Sequence, residues 1–248
     1  GKALNYNQML WSSMLKLKWV MAKPVSDSCG IGTEYLRTNR PWVQDSFIFF
    51  IFCEEMLDTY RNDERIWSIT GHNQQNNIKR GKGTYYFSKY PRSWGWATWK
   101  RSWAKYDRNI TDWPKIKSKG ILKNQLRNNI ELKYWEKILD SIYYHNSPNT
   151  WDYQWTYACL LNSGLTIIPR INLISNIGFD KEATHTFIGE SGTNNKELNF
   201  KKSGIFPILH PDKIYRNKKA DKIVEALCYS GYPIFSFSYM KFFIKKIY

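Results

Sequence analysis

Cysteine is scarce in this sequence and its cysteines are widely separated. The four cysteines, Cys29, Cys53, Cys159 and Cys228, lie far apart, and none belongs to a CxxC pair. Zinc sites and disulfide frameworks are recognised by characteristic cysteine spacings, which this pattern does not match. We therefore expect neither kind of site, and we expect a reduced, cytoplasmic setting for the protein.

Long apolar runs are also missing. The longest, FIFFIFC at residues 47–53, is too short to span a bilayer and continues into the charged stretch EEMLDTYRND. The sequence also opens without the apolar stretch of a secretory signal. We expect a buried helix at 47–53, rather than a membrane-spanning segment.

Acidic residues are outnumbered by basic ones. The 248 residues include 37 Lys and Arg but 21 Asp and Glu, for a formal charge of +16. This excess favours an anionic partner, which is nucleic acid, a phosphorylated ligand or an anionic membrane face. Charge alone does not choose among them. Aromatic residues make up 17% of the chain, which argues against disorder because each buries a large apolar area.

Segments with helical and strand patterns alternate along the chain. Phe49, Cys53, Met56 and Tyr60 recur at helical steps and predict a helix from Ser46. Helices are also predicted in ELKYWEKILDSIYYHN (131–146) and TWDYQWTYACLLNSG (150–164), and strands in RIWSITG (65–71), TYYFSKY (84–90) and LTIIP (165–169). The polar stretch HNQQNNIKRGKG (72–83) is typical of a loop that carries ligand contacts. The alternation indicates an α/β layered fold.

The stretch SWGWATWKRSW (93–103) concentrates tryptophan. Its pattern predicts a helix from about Ala97, and Trp96, Trp99 and Trp103 would then share one face. Spacing alone favours a stripe that faces the core. The functional alternative is a platform for a sugar ring or a base, in which Gly95, between Trp94 and Trp96, lets the backbone approach a flat partner.

Cations surround this tryptophan stretch. Arg92 precedes it, and Lys100 and Arg101 lie within it. Guanidinium and ammonium groups form charge-assisted hydrogen bonds with phosphate oxygens. These three side chains are therefore candidates for contacts with a phosphorylated ligand.

Asp152 lies between aromatic residues in the motif WDYQW, close to a predicted helix start. A structural interpretation makes it a helix cap or a first-turn acid favoured by the helix dipole. The functional interpretation makes it a carboxylate walled by Trp151 and Trp155. Partial desolvation would raise its basicity, as a general base that accepts a proton from a hydroxyl requires.

His185 follows a turn in the segment NIGFDKEATHT (176–186). A single histidine is usually a satisfied surface or core residue. The alternative interpretation is a metal ligand, which would need carboxylate partners that the spacing does not supply.

Four stretches taken together resemble a known family. They are FCEEMLDTYRNDERIWSITG, YYFSKYPRSWGWATWKRSWAKYD, WDYQWTYACLLNSGLTIIPRINLISNIGFDKEATHT and FPILHPDKI. In this order they are similar to the bacterial nucleotide-diphospho-sugar transferases sometimes labelled hemolysin-like HlpA proteins. The resemblance covers roughly residues 46–215. It implies an A-type glycosyltransferase fold, a Rossmann-like mixed sheet flanked by helices.

A more distant likeness is to the eukaryotic N-acetylglucosaminyltransferases that start complex N-glycan branches. It implies that Asp152 is the catalytic base and that His185 lies near the nucleotide diphosphate and its metal, Mn²⁺ or Mg²⁺. Trp94, Gly95 and Trp96 would help to shape the substrate pocket. The resemblance also implies a nucleotide-diphospho-sugar donor and a glycan or lipid-linked acceptor.

The sequence departs from this family before the first predicted helix. Relatives carry an acidic cluster there that holds the metal and the ribose, whereas TNRPWVQDSF (38–47) has Asp45 as its only acid. We therefore expect residues 1–45 to be a divergent or truncated part of a domain at 1–215, and residues 216–248 to form a basic aromatic appendage. Either metal binding is supplied differently, or the chain is an inactive or partial relic.

Two further expectations concern partners. The aromatics and the basic charge also suit a single-strand nucleic-acid binder, but no RNA-binding signature is present, so nucleic acid is the less favoured partner. The tail MKFFIKKIY (240–248) predicts weak adsorption to an anionic inner membrane face.

Overall fold

A computed structural model of the chain describes residues 43–75, 78–126, 129–174 and 205–229. In chain order the elements are α1 (Val43–Thr59), β1 (Ile66–Thr70), β2 (Tyr85–Ser88), β3 (Trp96–Thr98), α2 (Lys100–Trp103), α3 (Trp113–Ser118), a 3₁₀ turn (Ile121–Asn124), α4 (Asn129–His145), α5 (Asp152–Leu161), β4 (Leu165–Pro169) and α6 (Lys218–Cys228). The predicted α/β class is confirmed. His185, residues 1–42 and the tail at 240–248 lie outside the described residues.

The described strands form a mixed sheet in the order β2-β4-β1-β3. The two central strands, β1 and β4, are parallel, with Ile69 opposite Ile167. The outer strands run antiparallel to their neighbours, β3 to β1 and β2 to β4. Every residue of β1, β2 and β3 is buried. Strands buried in this way need cover on both faces.

Helix α1 covers one face of the sheet. Its buried side chains, including Phe52 and Met56, pack in one cluster with Ile69, Phe87 and Ile167 from three strands. Burying side chains of this size stabilises a fold by about 1.5–3 kcal/mol each. The helix predicted from Ser46 is thus confirmed and begins slightly earlier, at Val43, and within the stretch 47–53 the side chains of Phe49, Phe52 and Cys53 are buried.

Helices α5 and α6 cover the opposite face. Trp67 of β1 packs with Trp155 and Cys159 of α5, while Tyr86 of β2 packs with Ala220 of α6. A second core lies beside this layer, where α3, α4, α5 and α6 converge. Its buried members include Trp113, Trp135, Leu139, Tyr157, Leu160 and Val224.

The tryptophan stretch is not the predicted helix. Trp96 to Thr98 form strand β3, and the short helix α2 begins at Lys100. Trp96 and Trp99 therefore lie in different clusters, Trp96 beside α5 and Trp99 beside α1. The prediction of one shared helical face was wrong because pairing with β1, with Thr70 opposite Trp96, overrides the local spacing.

A buried ion network fixes α6 to the sheet. The Asp221 carboxylate is fully buried, accepts a hydrogen bond of 2.6 Å from Ser88 Oγ, and pairs with Arg216. Beside it, Lys89 Nζ lies 3.0 Å from Glu131 of α4 and 3.5 Å from Glu225 of α6. Buried charges are tolerated when they are paired in this way. The network holds the end of β2, α4 and α6 in one arrangement.

Candidate functional site

A cavity of about 200 Å³ lies where four segments meet. We call it the aromatic cavity. Residues 91–93 after β2 form one wall, and the other walls come from α4 (Tyr134 and Trp135), the first turns of α5 (Asp152, Tyr153, Trp155 and Thr156) and the end of α6 (Cys228 and Tyr229). Three of these segments also carry or adjoin the buried ion network, through Lys89, Glu131 of α4 and Glu225 of α6.

Asp152 lines this cavity and is half-buried. It is the first residue of α5, with Trp151 in the cap position. The Thr150 hydroxyl donates to Asp152 Oδ1, and the Asp152 backbone N–H lies 3.4 Å from the same hydroxyl. Oδ2 accepts no hydrogen bond from any described residue. The carboxylate therefore has the first-turn position that the helix dipole favours, and one oxygen remains available to a ligand.

Arg92 lines the same cavity. One guanidinium nitrogen donates to Gln74 Oε1 at 2.6 Å, and the Cys228 sulfur lies 3.8 and 3.9 Å from the two terminal nitrogens. No carboxylate among the described residues pairs with it. Arg92 and Asp152 are the two formally charged side chains among the described residues of the cavity wall.

The aromatic walls are neutral. Burial raises the pKa of the Tyr134 phenol, and a hydrogen bond with Tyr153 raises it further. Burial likewise raises the pKa of Tyr229, whose ring packs against Tyr134 with centroids 5.1 Å apart. Both phenols therefore remain protonated near neutral pH. They offer polar hydroxyls and flat faces without adding charge.

His72 and Trp94 form a pair on the Arg92 side. Their ring centroids lie 4.6 Å apart, and Trp94 is 37% exposed. Burial lowers the pKa of His72 to about 4, and the nearby Arg92 charge contributes to the shift. The imidazole is therefore neutral at pH 7. Trp94, predicted to bind substrate, lies outside the described cavity wall.

Most of the predicted indole platform is core. Trp96 is 8% exposed and stacks on Trp151 with centroids 4.6 Å apart. Trp155 is 2% exposed and stacks on Trp67. Among these, Trp155 also lines the cavity. Trp96, Trp151 and Trp155, all predicted to bind substrate, lie in one cluster, and Trp155 is the ring among them that lines the cavity.

Gly95 has a structural reason to lack a side chain. Its φ is +52°, and an added Cβ would lie 2.8 Å from Ile174 Cγ2. Its carbonyl accepts a hydrogen bond of 2.7 Å from the Gly71 N–H. The space over Gly95 is therefore filled by Ile174, whereas the sequence analysis reserved it for a flat partner.

Arg101 also has a structural role. Its guanidinium donates to the backbone carbonyls of Asp63 and Ile66, at 2.8 and 2.9 Å. It also lies over the Trp99 ring, 4.8 Å from the centroid. Of the three cations considered for phosphate contacts, Arg92 is the one that lines the cavity.

Sequence reasoning missed the residues that α4 and α6 contribute. Tyr134 and Trp135 read only as part of a helical pattern, and Cys228 read as an unpaired cysteine. The polar loop at 72–83 was a further sequence signal, because it supplies Gln74 beside Arg92 and His72 beside Trp94.

No family model, curated protein or solved structure matches this chain. In the described part of the chain, no group of three histidine, cysteine or acidic side chains is arranged to hold a metal ion. None of the described helices is both long and apolar enough to cross a membrane.

Proposed function

We propose that this protein is a glycosyltransferase that transfers a sugar from a nucleotide-diphospho-sugar to a hydroxyl of a glycan, polysaccharide or lipid-linked acceptor. The proposal includes the A-type fold, with which the mixed α/β sheet is compatible. The observation that carries it is that Asp152 and Arg92, which are distant in sequence, line one aromatic cavity. A carboxylate and a guanidinium are the two charged groups that this reaction needs.

The chemistry assigns each group a step. The Asp152 carboxylate accepts the proton of the acceptor hydroxyl as its oxygen attacks the anomeric carbon. The bond from that carbon to the diphosphate oxygen breaks, and negative charge develops on the leaving diphosphate. Arg92 meets that charge with hydrogen bonds in a partly desolvated setting, where they are stronger than in water. The aromatic walls exclude water that would otherwise hydrolyse the donor.

A divalent cation is implied by the family resemblance but is not matched by the described residues. Mg²⁺ and Mn²⁺ prefer several oxygen ligands, and Asp152 is the one carboxylate among the described residues of the cavity wall. The described wall therefore does not constitute a metal site, and no step here is assigned to a metal.

Single-strand nucleic-acid binding is the less favoured function. Base stacking needs exposed aromatic faces along a basic groove. Trp96, Trp99 and Trp155 are at most 8% exposed and pack against each other or the sheet. They stabilise the fold and do not form a stacking surface.

The test is to incubate the protein with a panel of nucleotide-diphospho-sugars, with and without Mn²⁺, and to follow release of the nucleoside diphosphate. Thermal melting is measured in parallel with the same donors and with a single-stranded oligonucleotide. A donor that raises the melting temperature and is turned over supports the proposal, because a ligand that binds the native state stabilises it. A salt-sensitive shift with oligonucleotide alone would contradict it, and no response to any donor would leave a non-catalytic relic.

A further inference from the structure

The size of the aromatic cavity limits what enters it. Pockets that hold drug-sized ligands typically measure about 300–1,000 Å³, and this cavity measures about 200 Å³. A nucleoside, two phosphates and a sugar together are too large for that space, so in the proposed transfer the sugar and its adjacent phosphate reach Arg92 and the nucleoside lies outside the described walls. One ring with its substituents is the largest unit that the described walls accommodate.

The charge of the cavity indicates what that ring carries. The contacts of Arg92 are a neutral amide oxygen on Gln74 and the sulfur of Cys228, and no described carboxylate forms an ion pair with it, although Asp152 lines the same cavity. A partly buried charge without a counterion is unfavourable. An anionic group on the ligand would compensate Arg92 through charge-assisted hydrogen bonds.

The remaining polar groups indicate a ligand rich in oxygen. Asp152 Oδ1 accepts from Thr150, which leaves Oδ2 for a ligand hydroxyl. The Trp135 and Trp155 rings add flat apolar surface to the wall. The Tyr134 and Tyr153 side chains add phenolic hydroxyls. Hydroxyls both donate and accept, and Arg92 donates, so this wall suits a ligand rich in oxygen.

We infer that the aromatic cavity binds a single sugar ring bearing one anionic substituent, a carboxylate or a phosphoryl group, with that substituent against Arg92 and a ring hydroxyl against Asp152. The inference rests on the proposed function for the choice of a sugar, and it names the substrate class that the transferase handles at this site. Neutral rings of the same size bind more weakly, because they leave Arg92 without a counterion.

The experiment measures binding of small probes to the full chain by tryptophan fluorescence, since Trp135 and Trp155 line the cavity. The probes are D-glucuronate, D-glucose 6-phosphate, D-glucose and inorganic phosphate. We expect either anionic sugar to bind about ten- to a hundred-fold more tightly than glucose, because hydrogen bonds to charged groups contribute more than neutral ones. Comparing glucuronate with glucose 6-phosphate distinguishes a carboxylate from a phosphoryl group.

Variants test whether Arg92 is the residue that causes the preference for anionic sugars. Arg92→Gln is expected to abolish the preference for the anionic sugar while retaining weak binding of glucose. The matched control is Arg65→Gln, because Arg65 is exposed, pairs with Asp63 outside the cavity, and is expected to leave the preference unchanged. If Arg92→Gln fails to fold, Cys228 provides a second measurement in the wild-type chain. This half-buried thiol lines the cavity, so glucuronate or glucose 6-phosphate should slow its alkylation by a maleimide and glucose should not.

The outcomes separate this inference from the proposed function. Equal affinity for glucose and both anionic sugars would overturn the inference, and so would binding of inorganic phosphate as tight as that of glucose 6-phosphate. Preferential binding of an anionic sugar without turnover of any donor would support the inference and contradict the transferase. Turnover of neutral donors with no anion preference would support the transferase and overturn the inference.

Discussion

Arg92 and Gln74 are joined by a hydrogen bond of 2.6 Å between the guanidinium and the side-chain amide oxygen. The contact orients the arginine without neutralising it. It also connects the polar loop after β1 to the cavity wall after β2, which are segments that the sequence separates. The positive charge of Arg92 contributes to the lowered pKa of His72 and is available to a ligand in the cavity.

Replacing Asp152 with asparagine tests the proposed general base. Donor turnover is expected to fall by about 10²- to 10⁴-fold, the usual contribution of such a group. The melting temperature should fall by less than about 4 °C, because a first-turn charge contributes about 0.3–1 kcal/mol. Steady-state turnover and differential scanning calorimetry measure the two effects. The control is Asp58→Asn on the exposed face of α1, and full activity in Asp152→Asn would remove this residue from the mechanism.

The pKa of His72 predicts a pH dependence of stability. Its pKa is about 4 in the folded protein, below the ordinary value of 6.5. The unfolded chain therefore binds this proton first as the pH falls, so the free energy of unfolding decreases between about pH 6.5 and pH 4. Urea unfolding of the wild type and of His72→Gln across this range should show a steeper loss in the wild type. Identical pH profiles would mean that the imidazole titrates normally in the fold.

The same histidine reports the charge of Arg92. Because the guanidinium contributes to the lowered pKa of His72, Arg92→Gln should raise that pKa towards its ordinary value. The shift is measured by NMR titration of the imidazole resonances, with exposed His145 as the internal reference. An unchanged His72 pKa would place the Arg92 charge farther away than the structure has it.

The buried ion network predicts a large stability effect at Asp221. Removing this carboxylate takes the closer of two acidic partners from Arg216, which keeps Glu225 at 3.7 Å, and it leaves Ser88 without its acceptor. Loss of one member of a buried pair typically costs about 3–5 kcal/mol, so Asp221→Ala should lower the free energy of unfolding by that amount. Asp212→Ala, at an exposed position nearby, should change it by less than about 0.5 kcal/mol. Chemical denaturation measures both, and equal small effects would contradict a stabilising role of the network.

The contact between Gly95 and Ile174 predicts that substitutions at these two residues have coupled effects on stability. Gly95→Ala combines the strain of a positive φ with a contact of 2.8 Å against Ile174. The strain alone costs about 1–2 kcal/mol. Gly120→Ala isolates it, because Gly120 has a φ of +61° and open space around it. Gly95→Ala should therefore be the more destabilising change, and Ile174→Ala in the same chain should recover the difference. Additive effects in this cycle, measured by denaturation, would show that the contact is absent.

Local patterns predicted a helix or strand correctly where the spacing of its buried apolar residues matches the period of that helix or strand. The helix containing Phe49, Cys53 and Met56 lies as expected because its apolar face packs on the sheet, and the strand LTIIP lies as expected because Ile167 and Ile168 are buried on opposite faces of that sheet. The tryptophan stretch failed for the converse reason. Its spacing fits a helix, but Trp96 pairs with Thr70 across the sheet, and that long-range pairing outweighs local spacing.

Some residues of the candidate site could likewise be predicted from the sequence and others could not. Asp152, Arg92 and Trp155 were chosen from sequence, because an acid among indoles and a cation beside them are local signals. Tyr134, Cys228 and Tyr229 were not, because their local sequence does not mark them as site residues and they reach the cavity only through the packing of α4 and α6.

The amino-acid sequence by itself determined the excess of positive charge, the α/β class and the residue types available for catalysis, because composition and short-range periodicity carry this information. The tertiary structure decided which indoles are core, why Gly95 has no side chain, and that Arg92 and Asp152 line one cavity. Those outcomes depend on packing between segments distant along the chain, and such contacts form only when the sheet and its covering helices assemble.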